Sequence, residues 1–460
     1  MEKMSKGDTL AMRNKYIGKS CQLFFRQDPL KVVRALGQYM YDEKDEAYLD
    51  CVNNVAHVGH CHPKVVEAGC RQMKLLYTNN RYLHDNIVIC AKRLVETMPK
   101  GLNTCFFVNS GSEANDLAIR LAQIYTKNKD IIALEGAYHG HLTSLIDISH
   151  YKFSLPGGTG QKDHVHLASL PDIYRGKFNT TEHKEEEISH LYAEEVREIC
   201  HNVRNEKDAG ICAFIHESLV SCGGQIMLPR NYLSEIYEHV RNNGGVCIAD
   251  EVQVGFGRTG KHWWAFELQN VVPDIVTLGK PMGNGHPVAA VITTKAIAEC
   301  FENTGVEYFN TYGGNPVSCA IANAVMDVIE DEKLMENACV VGDYLKKRCM
   351  MLKSKYSIIG DVRGVGLFIG IEIVEDKESR KPNPEAATII HRWMKEHHIL
   401  LSVDGLDKNV IKIKPPMIFT EENADEVVST LDKVLAGLEG SNDLTKDNRY
   451  YQSGYCKMNK

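Results

Sequence analysis

Two short apolar runs fix what this chain can fold into. Val246 to Ala249 lies behind glycines and ends at Asp250, and Ile275 to Leu278 repeats the pattern and delivers Lys280 two residues later. Four consecutive apolar residues bounded by turn formers read as a strand covered on both faces, the condition of a parallel sheet layered between helices. Sheets of this kind hold ligands outside the carboxyl ends of their strands, which places Asp250 and Lys280 where a ligand would sit. Pro281, Gly283 and Gly285 follow the lysine, prevent a regular helix and keep its side chain on a shaped loop. No P-loop pattern precedes Lys280, so a Walker-type nucleotide site is excluded.

Other apolar runs also end in residues that carry chemistry. Asn103 to Val108 leads into Asn109-Ser110-Gly111-Ser112-Glu113, where Ser110 and Glu113 have capping-box spacing. Ala114, Leu117, Ala118, Leu121, Ala122 and Tyr125 then share one helical stripe. A helix that starts at this glycine offers free N–H groups and a positive dipole end, a seat for a phosphate as well as an ordinary cap. Asp130 to Leu134 leads to Tyr138 and His139, an aromatic pair able to stack on a planar ligand or to fill core. Ile211 to Ile215 ends at His216-Glu217. A lysine and an aspartate at neighbouring strand ends form a solvated ion pair in many proteins. They also suit pyridoxal phosphate (PLP), with the amine forming a Schiff base and the carboxylate keeping the pyridine nitrogen protonated.

The block Asp250-Glu251-Val252-Gln253-Val254-Gly255-Phe256-Gly257-Arg258-Thr259-Gly260, followed by Gly279-Lys280, resembles the signature of class III, fold type I, PLP-dependent aminotransferases. Ser110 to Asp116 and Phe309 to Pro316 are similar to further blocks of that family. The resemblance implies an α/β fold: a large domain with a mostly parallel sheet flanked by helices, and a smaller α+β domain. It implies cofactor contacts from Gly111, Ser112, Tyr138, His139, Glu217, Asp250, Val252, Gln253 and Lys280, with Lys280 and Asp250 catalytic. Thr311 is expected to reach the cofactor phosphate of a neighbouring subunit, so the resemblance implies a homodimer or a dimer of dimers.

Within that family the chain resembles the group called alanine-glyoxylate aminotransferase 2-like, which contains phospho-lyases of ethanolamine phosphate and of 5-phosphohydroxylysine. The stretches that carry this are Asn53 to Pro63, Arg81 to Asn86, Tyr174 to Gly176, Ser221 to Gln225 and Gly279 to Pro287. The last two lie nearer the ethanolamine-phosphate enzymes. The implied activity is elimination of phosphate and ammonia from a small phosphorylated amine, with O-phosphoethanolamine giving acetaldehyde. The alternatives are the 5-phosphohydroxylysine lyase, an alanine-glyoxylate transaminase, and a catalytically silent binding protein, against which the retained Lys280, Asp250 and Gly111-Ser112 speak. A substrate phosphate needs cations, and Arg81, Arg175, Lys177 and Arg363 are the candidates. Many class III enzymes carry a glutamate at the place of Cys222, paired with the substrate-binding arginine that aligns with Arg363. Its absence predicts an unmasked Arg363.

Composition narrows the remaining classes. The formal net charge of -7 disfavours nonspecific nucleic-acid binding. No apolar run approaches a membrane span. The 15 cysteines show no C-x-x-C spacing and read as reduced thiols in an intracellular compartment. Residues 1–20 lean basic without a strong transit-peptide composition, leaving mitochondrial matrix and cytoplasm both open. His57, His60, Cys61 and His62 crowd one stretch, but no second ligand cluster follows at zinc spacing, so no metal is expected. A helix from Pro63 with Val65, Val66, Gly69 and Met73 inward is the alternative.

The boundaries expected are an N-terminal arm and strand pair over 1–60 contributing to the small domain, a cofactor domain over 61–315, a small domain over 316–438 and a disordered tail over 439–460. Residues 151–190 read as a polar excursion before a helix over 193–204. Residues 363–372 read as one strand.

Overall fold

The computed structural model describes residues 3–440, so the tail beyond 440 lies outside the described residues. In chain order the strands are β1 Val32–Leu36, β2 Tyr39–Asp42, β3 Ala47–Asp50, β4 Leu102–Val108, β5 Asp130–Leu134, β6 Val165–Ala168, β7 Ile211–Glu217, β8 Val246–Asp250, β9 Ile275–Leu278, β10 Ala289–Thr294, β11 Ile359–Val365, β12 Phe368–Ile373, β13 Ile399–Leu400, β14 Ser402–Asp404 and β15 Val410–Ile413. Among the described residues they make three sheets.

The central sheet has the order β4-β10-β9-β8-β7-β5-β6. Its strands run one way except β10, which is antiparallel to both neighbours. Every residue of β7, β8 and β9 is buried, as their unbroken apolar pattern requires. Burying each Ile or Val contributes about 2 kcal/mol, so the strand ends stand on a rigid base. The register sets Glu217 opposite Asp250 and Asp250 opposite Thr277, three residues before Lys280.

The helix Gly111–Thr126 starts where β4 ends and buries Ala114, Leu117, Ala118, Leu121 and Ala122. Tyr125, placed on the same stripe by the sequence, is instead 43% exposed, and its neighbour Ile124 packs against the core. The helix Pro63–Met73 likewise buries Val65, Ala68, Gly69 and Gln72, while Val66 and Met73 face out. The packing against the helix Pro316–Asp331 selects the small residues of that helix, with Ile321 pressed against Gly69.

Residues 151–190 are not one excursion. They contain β6, which joins the edge of the central sheet beside β5, and they lead into a helix that runs from Glu185 to Lys207. The short strand Val165-His166-Leu167-Ala168 has only two fully buried residues, so its pattern is weak. The helix opens on Glu185, Glu186 and Glu187, acids that suit a helix start but hide its apolar stripe.

Residues 363–372 are also not one strand. β11 and β12 form an antiparallel hairpin that reverses at Gly366. That residue has φ +54°, and a Cβ there would lie 2.4 Å from the Arg258 carbonyl oxygen, so both turn and close approach require glycine. The hairpin belongs to a sheet of order β11-β12-β15-β14, while β1-β2-β3 pair through β3 with β13 in parallel.

Candidate active site

The ends of β7, β8 and β9 and the start of the helix Gly111–Thr126 enclose a cavity of about 430 Å³. Gly111, Ser112, Tyr138, His139, Glu217, Asp250, Val252, Gln253 and Lys280 all line it. Thr311 does not, being exposed on a loop whose neighbour Asn310 accepts a hydrogen bond from Asn109 at 2.7 Å.

Asp250 is 3% exposed and its carboxylate is aimed by three donors. Asn115 Nδ2 and His139 Nδ1 each lie 2.8 Å from Oδ2, and the Val252 amide lies 3.1 Å from Oδ1. Asn115 is itself fixed, since it donates to the His139 carbonyl at 2.7 Å and accepts from Thr277 Oγ1 at 2.6 Å. His139 Nε2 is buried without a partner. Glu217 accepts from the amides of Tyr138 and Ser221 at 3.2 and 3.0 Å, and burial holds its carboxyl above the usual range.

Lys280 begins a single 3₁₀ turn, Lys280–Gly283, that ends at Asn284 with φ +47°. Asn284 braces the loop by accepting from the Val58 amide and donating to the Gly59 carbonyl. The lysine amine bonds to no protein group among the described residues. Burial pulls the amine below its usual range, and the Asp250 and Glu217 carboxylates oppose this only in part. A larger fraction of such an amine is unprotonated at neutral pH than of a surface lysine, and so available as nucleophile and base.

The helix start is pressed close to the cavity wall. A Cβ on Gly111 would lie 2.6 Å from Val252 Cγ1, so only glycine leaves the backbone of this turn open to the cavity. Ser110 caps by accepting from the Glu113 amide at 3.1 Å. The reciprocal half of the capping box is missing, because Glu113 turns to the Asn109 amide at 2.6 Å and to Asn310. Gln253 directs its carbonyl oxygen to Asn54 and, at 3.5 Å, to Lys414, which leaves its NH₂ as the end available to the cavity.

The cations predicted for a substrate phosphate are placed elsewhere. Arg363 bonds Glu372 at 2.5 Å, Asp361 at 3.2 Å and the Gly224 carbonyl at 2.6 and 3.0 Å. It is masked after all, by Glu372 instead of by the residue at 222. Arg175 is held by Glu372 and Asp407, and Lys177 by Glu195. Arg81 is exposed, over the Phe309 ring at 4.3 Å. The cations that face Cys222 are Lys412 and Lys414, which share one face at the end of β15 and which the sequence reading left unassigned. Burial would lower the Lys412 amine, but the Asp404 carboxylate at 2.9 Å outweighs it and keeps the amine charged. Burial pushes the Cys222 thiol up to about 11, so this position carries no charge at neutral pH.

The histidine-rich stretch serves the fold. His57 is buried between the Phe256 carbonyl at 2.7 Å and Arg258 at 3.1 Å, His60 pairs with Asp50, and His62 pairs with Glu332. The three rings take separate partners, and no group of three or more metal-ligating side chains converges among the described residues. No described helix is long and apolar enough to cross a membrane.

Known proteins share this architecture. The class III aminotransferase family model matches residues 25–435. An alanine–glyoxylate aminotransferase 2-like protein of Drosophila melanogaster is 58% identical over 426 residues, 92% of this chain and 86% of its own length. An ethanolamine-phosphate phospho-lyase homologue of Caenorhabditis elegans is 47% identical over 440 residues, 94% of each. The structure of an Arthrobacter phospholyase in complex with phosphoethanolamine superposes with a TM-score of 0.88 at 36% identity, covering 93% of this chain and 99% of that one. The family match spans the sheet, the lysine turn and the helix start that build the cavity, and the chain therefore belongs to the class III aminotransferases, a family of PLP-dependent enzymes.

Proposed function

We propose that this enzyme is a phospho-lyase that converts a small phosphorylated amine, O-phosphoethanolamine first, to an aldehyde, ammonia and inorganic phosphate. The residues of the cavity fit PLP. Lys280 offers an amine with no protein partner among the described residues, Asp250 a carboxylate fixed by three donors, and Gly111 and Ser112 the open N–H groups of a helix start. Tyr138 and Val252 would flank the ring, His139 and Asn115 would keep Asp250 aimed, and the Gln253 NH₂ would meet the phenolic oxygen. Thr311 of a second copy would complete the phosphate seat, making the working unit a homodimer. Mixing inactive Lys280→Ala and Thr311→Asp chains should restore activity through one intact composite site, whereas a fully active monomer would remove this part.

Bound PLP would supply an aldehyde to hold the substrate amine and a ring to accept electrons from the carbon that bears it. Lys280 would remove the proton from that carbon. Asp250 keeps a positive charge opposite the developing negative one. The C–O bond to phosphate then breaks at the next carbon, and its electrons leave with the phosphate while those of the C–H bond form a C=C bond. Water hydrolyses the resulting enamine to acetaldehyde and ammonia, so no oxo acid enters the balance.

The observation that carries the choice of a phosphorylated substrate is Lys414, a buried lysine with no carboxylate partner among the described residues, whose amine reaches Gln253 of the cavity wall at 3.5 Å beside an uncharged Cys222. The names of the C. elegans and Arthrobacter relatives support the same choice. The test is product analysis with phosphoethanolamine as the sole substrate. Equal amounts of phosphate, ammonia and acetaldehyde are expected. None of the three, with amino transfer from alanine to glyoxylate, would make the enzyme a transaminase like the one named for the D. melanogaster relative.

A further inference from the structure

Lys414 stands behind the cavity wall with no acid of its own among the described residues. The residue is 5% exposed, and its amine reaches only Ser221 Oγ at 3.4 Å and Gln253 Oε1 at 3.5 Å, neutral groups at the outer limit of hydrogen bonding. Every element packed around it adds to this isolation. Lys412, two residues earlier, takes the Asp404 carboxylate at 2.9 Å, and Asp404 is shared further with Lys408 and Tyr151. Lys280 repels it from the cavity side, and the Cys222 thiol after β7 is neutral. Glu217, at the end of β7, is spent on two backbone amides.

A buried ammonium without a carboxylate is costly, and such a lysine sheds its proton instead. Consistent with that, burial first and Lys412 second hold the Lys414 amine well below its usual range, with Lys280 adding to the effect and Asp404 opposing it. Gln253, the residue that joins Lys414 to the cavity, lines the same space as Lys280.

We propose that Lys414 senses the charge of the substrate: it rests as a neutral amine and takes up a proton when a phosphate enters the cavity beside Gln253. The inference rests on the phosphorylated-amine reading and adds a source of selectivity to it. A neutral or cationic amine would supply no field to hold the new ammonium, so only an anionic substrate gains the attraction of a second cation beside Lys412. Binding then consumes a proton from solution.

The test is calorimetric titration of the PLP-loaded protein with sodium sulfate, whose charge is constant near neutrality. PLP occupies the helix-start seat and keeps sulfate from it. Heats measured in two buffers of different ionisation enthalpy give the protons taken up per sulfate bound. The expected value is about one, with sulfate affinity falling about tenfold per pH unit once the free amine is neutral. Lys414→Met should abolish the uptake. Lys414→Arg, permanently charged, should bind sulfate with no uptake and little pH dependence. Uptake that persists in Lys414→Met belongs to another group and overturns the proposal, as does wild-type binding with no uptake or no sulfate binding. Phosphate release from phosphoethanolamine, measured on the same preparation, tests the substrate reading separately: release with no proton uptake sinks only the role of Lys414, and absence of release sinks the lyase.

Discussion

The turn after β9 and the β11–β12 hairpin each bury a cation, and the two are put to opposite uses. Lys280 lines the cavity with its amine bonded to no protein group among the described residues, while Arg363 makes four hydrogen bonds to Gly224, Asp361 and Glu372. A cation whose donors are spent on the protein fastens two elements together. One whose donors are left open is available to a ligand. The same contrast recurs at the end of β15, where Lys412 is held by Asp404 yet Lys414 has no acid among the described residues.

The largest effect should follow from removing the open cation. Lys280→Ala is expected to lower phosphate release by about 10³-fold or more, because base and cofactor attachment go together. With the cofactor removed from both, its melting temperature should stay near that of the wild type, since no hydrogen bond is lost. A large fall in stability with residual turnover would erase the contrast.

Arg363→Gln should do the reverse. It leaves Glu372 buried with less than its full complement of positive charge, which costs about 3–5 kcal/mol of stability. Denaturant unfolding should record that loss, while KM for phosphoethanolamine in the folded fraction stays within about twofold. A raised KM with unchanged stability would return Arg363 to the substrate site.

Asp250→Asn sharpens the comparison inside the cavity. It keeps the shape of the side chain but removes the charge on which His139 and Asn115 converge. Turnover is expected to fall by about 10²-fold, with PLP still bound as judged by its visible absorbance. Equal turnover in the variant would mean that the carboxylate plays no part in accepting electrons.

Lys412→Met should give the smallest effect of the four. Asp404 retains Lys408 and Tyr151, so the fold is spared. KM for phosphoethanolamine should stay within about twofold with kcat nearly constant, as expected of a cation spent on Asp404. A tenfold rise in KM would place Lys412 at the substrate and break the contrast with Lys414.

What the sequence made legible follows the same division. Asp250 and Glu217 were readable because each ends a fully buried strand, and Lys280 because it follows one by two residues; parallel topology alone brings such ends together. Asn115 was within reach too, lying four residues beyond Gly111 and so on the same side of the helix. Arg363 was misread because residues 363–372 look like one run of alternating small and apolar residues. As one strand they would hold Arg363 and Glu372 roughly 30 Å apart, whereas the turn at Gly366 places them within 2.5 Å. Lys412 and Lys414 alternate with isoleucines, a pattern that normally means a solvated face. Only the position of β15 between β12 and β14, facing Cys222, makes that face interior.

Three buried lysines now compete for one role, which makes covalent mapping the most direct test of the central claim. Borohydride reduction of the PLP-loaded enzyme, followed by peptide mass spectrometry, fixes the cofactor to the amine that carries it. The expected result is one pyridoxyl group per chain, on Lys280. A label on Lys412 or Lys414 instead, or a yellow enzyme with no labelled lysine, would contradict the assignment of the turn after β9 as the reacting centre.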